Sequence, residues 1–162
     1  FLIGTFMAVW VILYGLVQAN APRILRAKSR PTAELIAAAR GWAWALAIVP
    51  AVLAVAALIA NGLEDWLTLS VVAGLLVFGA LFAVNSSLHS FLILSFTKAE
   101  RVTMDVGFYY MANAAGRLIG TLASGLSYQV GGLPLMLGIA AGMVALSAVA
   151  VSFLTSEEEQ AA

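Results

Sequence analysis

The stretch that decides the fold is residues 105 to 128, DVGFYYMANAAGRLIGTLASGLSY, which is long and apolar enough to cross a bilayer as one helix. Arg117 lies near its middle. An arginine at the centre of a membrane helix costs at least about 2.5–3.5 kcal/mol on insertion scales, so such residues usually face a bundle interior or a water-filled cavity. We therefore expect Arg117 to bind a ligand. The alternative is a structural arginine that pairs or snorkels within the bundle.

Polar side chains share one side of this helix with Arg117. At about 100° per residue, the polar residues within about 40° of it are Tyr110, Asn113, Thr121, Ser124 and Tyr128. Together with Arg117 we call them the polar stripe. The opposite side is apolar and is typical of a surface that meets lipid or another helix: Met111, Ala115, Leu118, Leu122 and Leu126. Within the stripe, Arg117, Asn113, Tyr110 and Thr121 are the predicted substrate-binding residues.

The composition indicates a helical membrane protein. Hydrophobic residues make up 63% of the chain and charged residues 10%, whereas soluble domains are about 25% charged. The apolar runs are continuous rather than alternating, which excludes a transmembrane β-barrel. The chain has no cysteine and a single histidine, so we expect neither a disulfide nor a metal site, and no cofactor. The predicted class is all-α, a polytopic transmembrane bundle.

Five membrane spans are predicted, at residues 1–19, 41–60, 66–96, 104–127 and 133–154. Asn20 to Pro22 is predicted to end the first span, and Thr32 to cap a short helix that leads into the second. Pro50 predicts a kink, and pairs of glycines four apart, Gly116 with Gly120 and Gly138 with Gly142, permit close helix approach. Because Phe1 lies inside an apolar run, we expect residues 1–162 to be the C-terminal transmembrane part of a longer chain whose N-terminal helices also pack against it.

The third segment is too short for two spans with a turn, so one long helix is predicted. Asn85 and His89 lie on one side of it with Ser86 and three phenylalanines. This side resembles the polar stripe. Asn85 and His89 are therefore predicted to contribute to substrate binding, with His89 approaching Arg117. The alternative for a lone histidine is a structural one, hydrogen-bonded to a neighbouring helix.

The basic residues predict the orientation in the membrane. Four arginines and a lysine lie between residues 20 and 40, and Lys98 and Arg101 lie in the next loop on the same side. The positive-inside bias predicts that these loops and the C-terminus are cytoplasmic. It also accounts for the basic patch, so we expect no nucleic-acid binding. The turns near residues 61–65 and 129–132 carry no Lys or Arg and are predicted to lie outside. The predicted location is the inner (plasma) membrane.

Several runs of the sequence resemble a known family. The order of spans, with a "TKAER" loop at 97–101, resembles helices 8–12 of a major facilitator superfamily transporter. The usual Gly-x-x-x-Asp-Arg signature is replaced by "YGLVQANAPRIL" at 14–25. That run, "NSSLHSFLILSF" at 85–96 and "RVTMDVGFYYMANAAGRLIGTLASGLSYQVGG" at 101–132 resemble the ArsJ branch of organoarsenical efflux permeases.

The resemblance implies export of 1-arseno-3-phosphoglycerate, made in the cytoplasm by a glyceraldehyde-3-phosphate dehydrogenase, and hence arsenate resistance. The substrate is a small polyanion. A planar guanidinium in a cavity is suited to bind its phosphate or arsenate group. Two alternatives stay open: a facilitator that exports another small molecule or drug, and a non-transporting membrane assembly subunit in which Arg117 pairs with an acid on another chain. We expect no enzyme activity, because the spans hold no catalytic spacing of Ser, His or carboxylates.

Overall fold

The chain forms long helices, and the computed structural model describes residues 1–26, 29–60, 62, 64–97 and 100–154. Over these ranges no β-strand occurs, which confirms the all-α class. The four helices are α1 (Leu2–Leu25), α2 (Thr32–Ile59), α3 (Asp65–Phe96) and α4 (Val102–Ser152). Each is long and apolar enough to cross a membrane.

Helix α3 confirms the prediction of one continuous helix. It contains 32 residues, or roughly 48 Å at 1.5 Å per residue. Asp65 lies in its first turn, where a negative charge is favourable. The helix contains no proline, and its interior is almost free of charged residues, so nothing in the sequence interrupts it.

Helix α1 continues beyond the predicted end at residue 19, because tertiary packing outweighs the helix-breaking proline. Pro22 lies inside its last turns, and the helix ends only at Leu25. Ala21 and Leu25 are buried in the core, and the side-chain amide of Asn20 donates to the carbonyl of Leu16 at 2.8 Å. Burial of this last turn compensates for the one backbone hydrogen bond that proline cannot donate.

Helix α2 also differs from the prediction at its start. The predicted short helix and the second span form one helix that runs through Pro50. Thr32 is the first helical residue and Pro31 precedes it, with no side-chain hydrogen bond at the cap. The assignment of Thr32 as a capping residue was therefore wrong. Leu35, Ile36 and Ala39 are buried, so this extension is held by packing.

Helix α4 is broken at two glycines. Gly131 and Gly132 have non-helical backbone angles, and Gly132 has φ +63° and ψ −157°, a conformation that essentially only glycine adopts. The first half is helical to Val130, beyond the predicted end of the fourth span at residue 127. A groove of about 200 Å³ is lined from both halves, by Gly120, Ala123, Ser124, Met136, Ile139, Ala140, Met143 and Val144. Residues 120 and 144 of a straight helix would be roughly 36 Å apart, so the two halves fold back on each other.

Helix α2 is the centre of the bundle. It packs against α3 and α4, whereas α1 packs against α3. One buried cluster joins the end of α1, the start of α2 and the ends of α3 and α4: Ala21, Leu25, Leu35, Ile36, Ala39, Val84, Leu88, Leu92 and Val151. A second joins the other end of α2 with α3 and α4: Leu53, Ala54, Ala57, Leu67 and Leu137. The two clusters place the connection from α1 to α2 at the same end of the bundle as the end of α4.

Two glycines outside the predicted pairs lie against side chains of neighbouring helices. A Cβ atom at Gly79 would lie 2.7 Å from Nε1 of Trp10 on α1, and one at Gly74 would lie 2.7 Å from Cδ1 of Leu53 on α2. No atom lies within 4 Å of a Cβ built at the four predicted positions, Gly116, Gly120, Gly138 and Gly142. The described residues therefore make no close contact at these pairs, and the close approach that the pairs permit stays a prediction.

Candidate functional site

Arg117 lies on the first half of α4, on the outside of the bundle. Its side chain is exposed. Across the ranges that the structure describes, its guanidinium makes no hydrogen bond or ion pair. Its backbone carbonyl, besides its place in the helix, accepts a side-chain hydrogen bond from Oγ1 of Thr121 at 2.8 Å. The guanidinium is thus available to a ligand or to another protein segment.

The other predicted residues of the polar stripe are exposed with it. Tyr110, Asn113 and Thr121 are all exposed, and Tyr110 is 66% exposed. The ring of Tyr110 meets that of Tyr109 edge to face, with the centroids 5.5 Å apart. Because the helix is regular through this region, these side chains share one side with Arg117, as predicted from the spacing.

The polar stripe borders the contact between the two halves of α4. The side of the first half that packs consists of small or half-buried residues, of which Ala123 and Ser127 are central. Ser127 is buried, and its hydroxyl donates to the carbonyls of Ala123 and Ser124. At about 100° per residue this packed side is centred about 80° from Arg117. Arg117 therefore lies between a protein contact and the apolar side predicted to face lipid, which is exposed at Leu118 and Leu122.

Asn85 and His89 form a second polar site on α3. Nδ1 of His89 donates to the backbone carbonyl oxygen of Asn85 at 2.8 Å, since a carbonyl can only accept. Nε2 is therefore the ring nitrogen that remains for another partner. Oδ1 of Asn85 is buried and has no hydrogen-bond partner within the described chain. Sequence reasoning selected both residues, but the orphaned oxygen is visible only in the structure.

The two polar sites are not joined by a direct contact in the described residues. No hydrogen bond links Asn85 or His89 to the polar stripe there, and α3 touches α4 only slightly. The proximity of His89 to Arg117 stays a prediction. Phe82 on the same side of α3 contacts α1 instead: its ring centroid lies 5.9 Å from that of Tyr14, and Phe78 stacks on Phe82 at 6.0 Å.

Arg40 is a third polar site, which the sequence analysis assigned only to the basic loop. It is half-buried on α2, and Nη2 donates to the carbonyl oxygen of Leu154, just beyond the end of α4. Nε is buried without a hydrogen-bond partner among the described residues. A cation near the carboxyl end of a helix is favourable, so Arg40 ties α2 to the end of α4.

Within the described ranges, no three His, Asp or Glu side chains lie together in a way that would hold a metal ion. Comparison with protein-family models, with curated proteins and with solved structures found no match. The resemblance to the major facilitator superfamily therefore stays a prediction from the quoted sequence runs.

Proposed function

We propose that this chain belongs to a bacterial inner-membrane exporter of the major facilitator type, in the ArsJ branch, and that it exports the polyanion 1-arseno-3-phosphoglycerate. The observation that supports this most is the exposed guanidinium of Arg117 at mid-span, which has no ion-pair partner in the described ranges. Facing lipid there would cost at least about 2.5–3.5 kcal/mol. A water-filled cavity or a protein partner on the side of the polar stripe avoids that cost.

In this proposal the polar stripe lines the substrate cavity. The guanidinium binds a phosphate or arsenate group bidentately. Tyr110 and Asn113 provide hydroxyl and amide donors on the same side of the helix for the remaining oxygens. Thr121 joins them when its hydroxyl leaves the carbonyl of Arg117, to which it donates in the described chain. Asn85 and His89 contribute from α3, where Nε2 of His89 and Oδ1 of Asn85 are unused by the described bundle. Further membrane helices close the cavity on the side that α4 leaves open.

The proposal places five spans in the membrane, with the two halves of α4 crossing separately. The half from Leu133 to Ser152 is roughly 30 Å long at 1.5 Å per residue, which matches the hydrocarbon core. The break at Gly131 and Gly132 supports two crossings. Arg23, Arg30 and Arg40 lie at the end of the bundle that holds the carboxyl end of α4, so the positive-inside bias makes that end cytoplasmic.

A second candidate follows from the same exposed cation. In an assembly subunit, Arg117 would pair with a carboxylate on another membrane protein. Removing it would then strand a buried partner charge at a cost of about 3–5 kcal/mol and lower the amount of folded protein. An exporter of a cationic drug is disfavoured, because the exposed guanidinium would repel a cation.

The test is arsenate resistance in cells that also make the glyceraldehyde-3-phosphate dehydrogenase. Arg117→Ala should abolish resistance at membrane expression equal to wild type. Arg117→Lys should restore it only in part, since lysine keeps the charge but loses the bidentate geometry. Arg101→Ala is the matched control, because Arg101 is also exposed but lies before α4 begins.

Equal resistance of wild type and Arg117→Ala at equal expression would contradict substrate binding by Arg117. A fall in membrane expression that Arg117→Lys reverses would instead support the assembly subunit. Uptake of the arsenylated substrate into inverted membrane vesicles separates transport from indirect effects on resistance.

A further inference from the structure

The carboxyl end of α1 carries an open groove of about 520 Å³, lined by Ala19, Pro22, Arg23, Arg26 and Ser29. Arg23 and Arg26 are exposed, and neither forms an ion pair in the described part of the chain. By contrast, Nε of nearby Arg30 lies 3.9 Å from Oε2 of Glu34. Two uncompensated cations therefore share this groove, which we call the arginine groove.

The backbone around the arginine groove is already satisfied by its own turn. Arg26 adopts a left-handed conformation with φ 50°, which ends α1, and its N–H donates to the carbonyl of Arg23 at 3.3 Å. The N–H and the hydroxyl of Ser29 both donate to the carbonyl of Arg26, at 2.9 and 3.0 Å. The carboxyl end of a helix carries about half a negative charge. Two full positive charges exceed it, so the groove attracts an anion.

An apolar strip leads away from the groove along the same side of α1. At about 100° per residue, Val9, Ile12 and Leu16 lie within about 40° of Arg23. They are 47%, 62% and 57% exposed. Leu16, Ile12 and Val9 lie roughly 10, 16 and 21 Å along the axis from Arg23, and one leaflet with its headgroup region is about 20–22 Å thick. The strip thus lies within the depth of one lipid leaflet, with the cations at its polar end.

We propose that the arginine groove binds the phosphate headgroup of an anionic glycerophospholipid, whose acyl chain lies on the strip formed by Val9, Ile12 and Leu16. The proposal rests on α1 crossing a membrane, and it does not depend on the transported substrate or on Arg117. A free phosphate would use the cations but has no use for the strip. The joined cationic and apolar surfaces therefore favour a lipid.

The test is a lipid titration of the full chain in detergent, followed by native mass spectrometry. Phosphatidylglycerol should bind, and phosphatidylcholine, which has no net charge, should bind at least tenfold more weakly. Neutralising one arginine near a membrane surface should weaken binding about fivefold, so Arg23→Gln with Arg26→Gln should weaken it about 25-fold. Arg30→Gln, the matched control in the same loop, should change it less than about twofold because Arg30 is already paired.

Two outcomes would overturn the proposal. One is equal affinity of wild type and the double variant for phosphatidylglycerol, in protein whose circular dichroism and elution volume are unchanged. The other is displacement of the lipid from wild type by glycerol phosphate or inorganic phosphate at equal concentration, which would identify a free-anion site. This second measurement needs no variant, so it decides the matter even if the double variant does not fold.

Discussion

Nε1 of Trp10 on α1 donates a hydrogen bond to the backbone carbonyl oxygen of Leu75 on α3, 2.8 Å away. In a regular helix that carbonyl also accepts from the amide of Gly79, so the indole uses its second lone pair. Gly79 leaves the space for it, since a Cβ there would lie 2.7 Å from Nε1. Stacking of Trp10 on Tyr14, with centroids 5.6 Å apart, fixes the indole in this position.

Gly79→Ala should break the contact between Trp10 and α3. The added methyl group would displace the indole and break its hydrogen bond, and we expect a loss of about 1–3 kcal/mol in the free energy of unfolding. Denaturant unfolding in detergent, followed by tryptophan fluorescence, measures this. Gly15→Ala on α1 is the control, because no atom lies within 4 Å of its Cβ position. Equal stability of the two variants would contradict the role of Gly79.

Gly132→Ala should weaken the reversal within α4. The backbone at Gly132 has a positive φ that an L-residue reaches only with strain, at about 1–3 kcal/mol. The control is Gly142→Ala in the second half of α4, where a Cβ would meet no neighbouring atom within 4 Å. This substitution should be neutral or slightly stabilising, because alanine has a higher helix propensity than glycine. Thermal unfolding of both variants in the same detergent makes the comparison. A Gly132→Ala protein as stable as Gly142→Ala would exclude strain at the break.

Arg40→Ala should destabilise the junction of α2 with the end of α4 by about 2–3 kcal/mol, because the packing of the apolar stem is lost together with a charged hydrogen bond to the carbonyl of Leu154. Arg40→Met should recover the packing part of this loss but not the hydrogen bond. Methionine keeps the apolar stem and removes the buried Nε, which has no hydrogen-bond partner in the described chain. Chemical denaturation of wild type, Arg40→Ala and Arg40→Met compares their free energies of unfolding. A methionine variant as unstable as the alanine variant would mean that the guanidinium itself is essential.

The orientation prediction is tested with reporters. A reporter that is active only in the cytoplasm should be active when fused after Ala162, and inactive when inserted at Gly62 in the turn between α2 and α3. The reason is the concentration of arginines at the end of the bundle where α4 finishes. An inactive fusion after Ala162 together with an active insertion at Gly62 would reverse the assignment of sides.

Most of the helical architecture follows from local sequence. The length and continuity of α3 were predicted because an uninterrupted apolar run with no proline leaves the backbone only intramolecular hydrogen bonds in a membrane. The side that Arg117 shares with Asn113 and Thr121 follows from helix geometry alone. Helix ends were predicted less well. Pro22 was predicted to end the first helix and Thr32 to cap a separate short one. Burial of Leu25 and Leu35 in one cluster instead keeps α1 helical past Pro22 and makes Thr32 the first residue of a continuous α2.

The sequence by itself determined the fold class, the long helix α3 and the polar stripe, because apolar run length and the 3.6-residue period depend only on neighbours along the chain. Only the tertiary structure decided which surfaces meet. Among the described residues, side chains of neighbouring helices pack against Gly74 and Gly79 and not against the predicted glycine pairs, and Oδ1 of Asn85 and Nε of Arg40 are the buried side-chain polar atoms without a hydrogen-bond partner. The physical reason is that contact between helices depends on the shape and burial of residues far apart in sequence, which a periodic pattern does not contain.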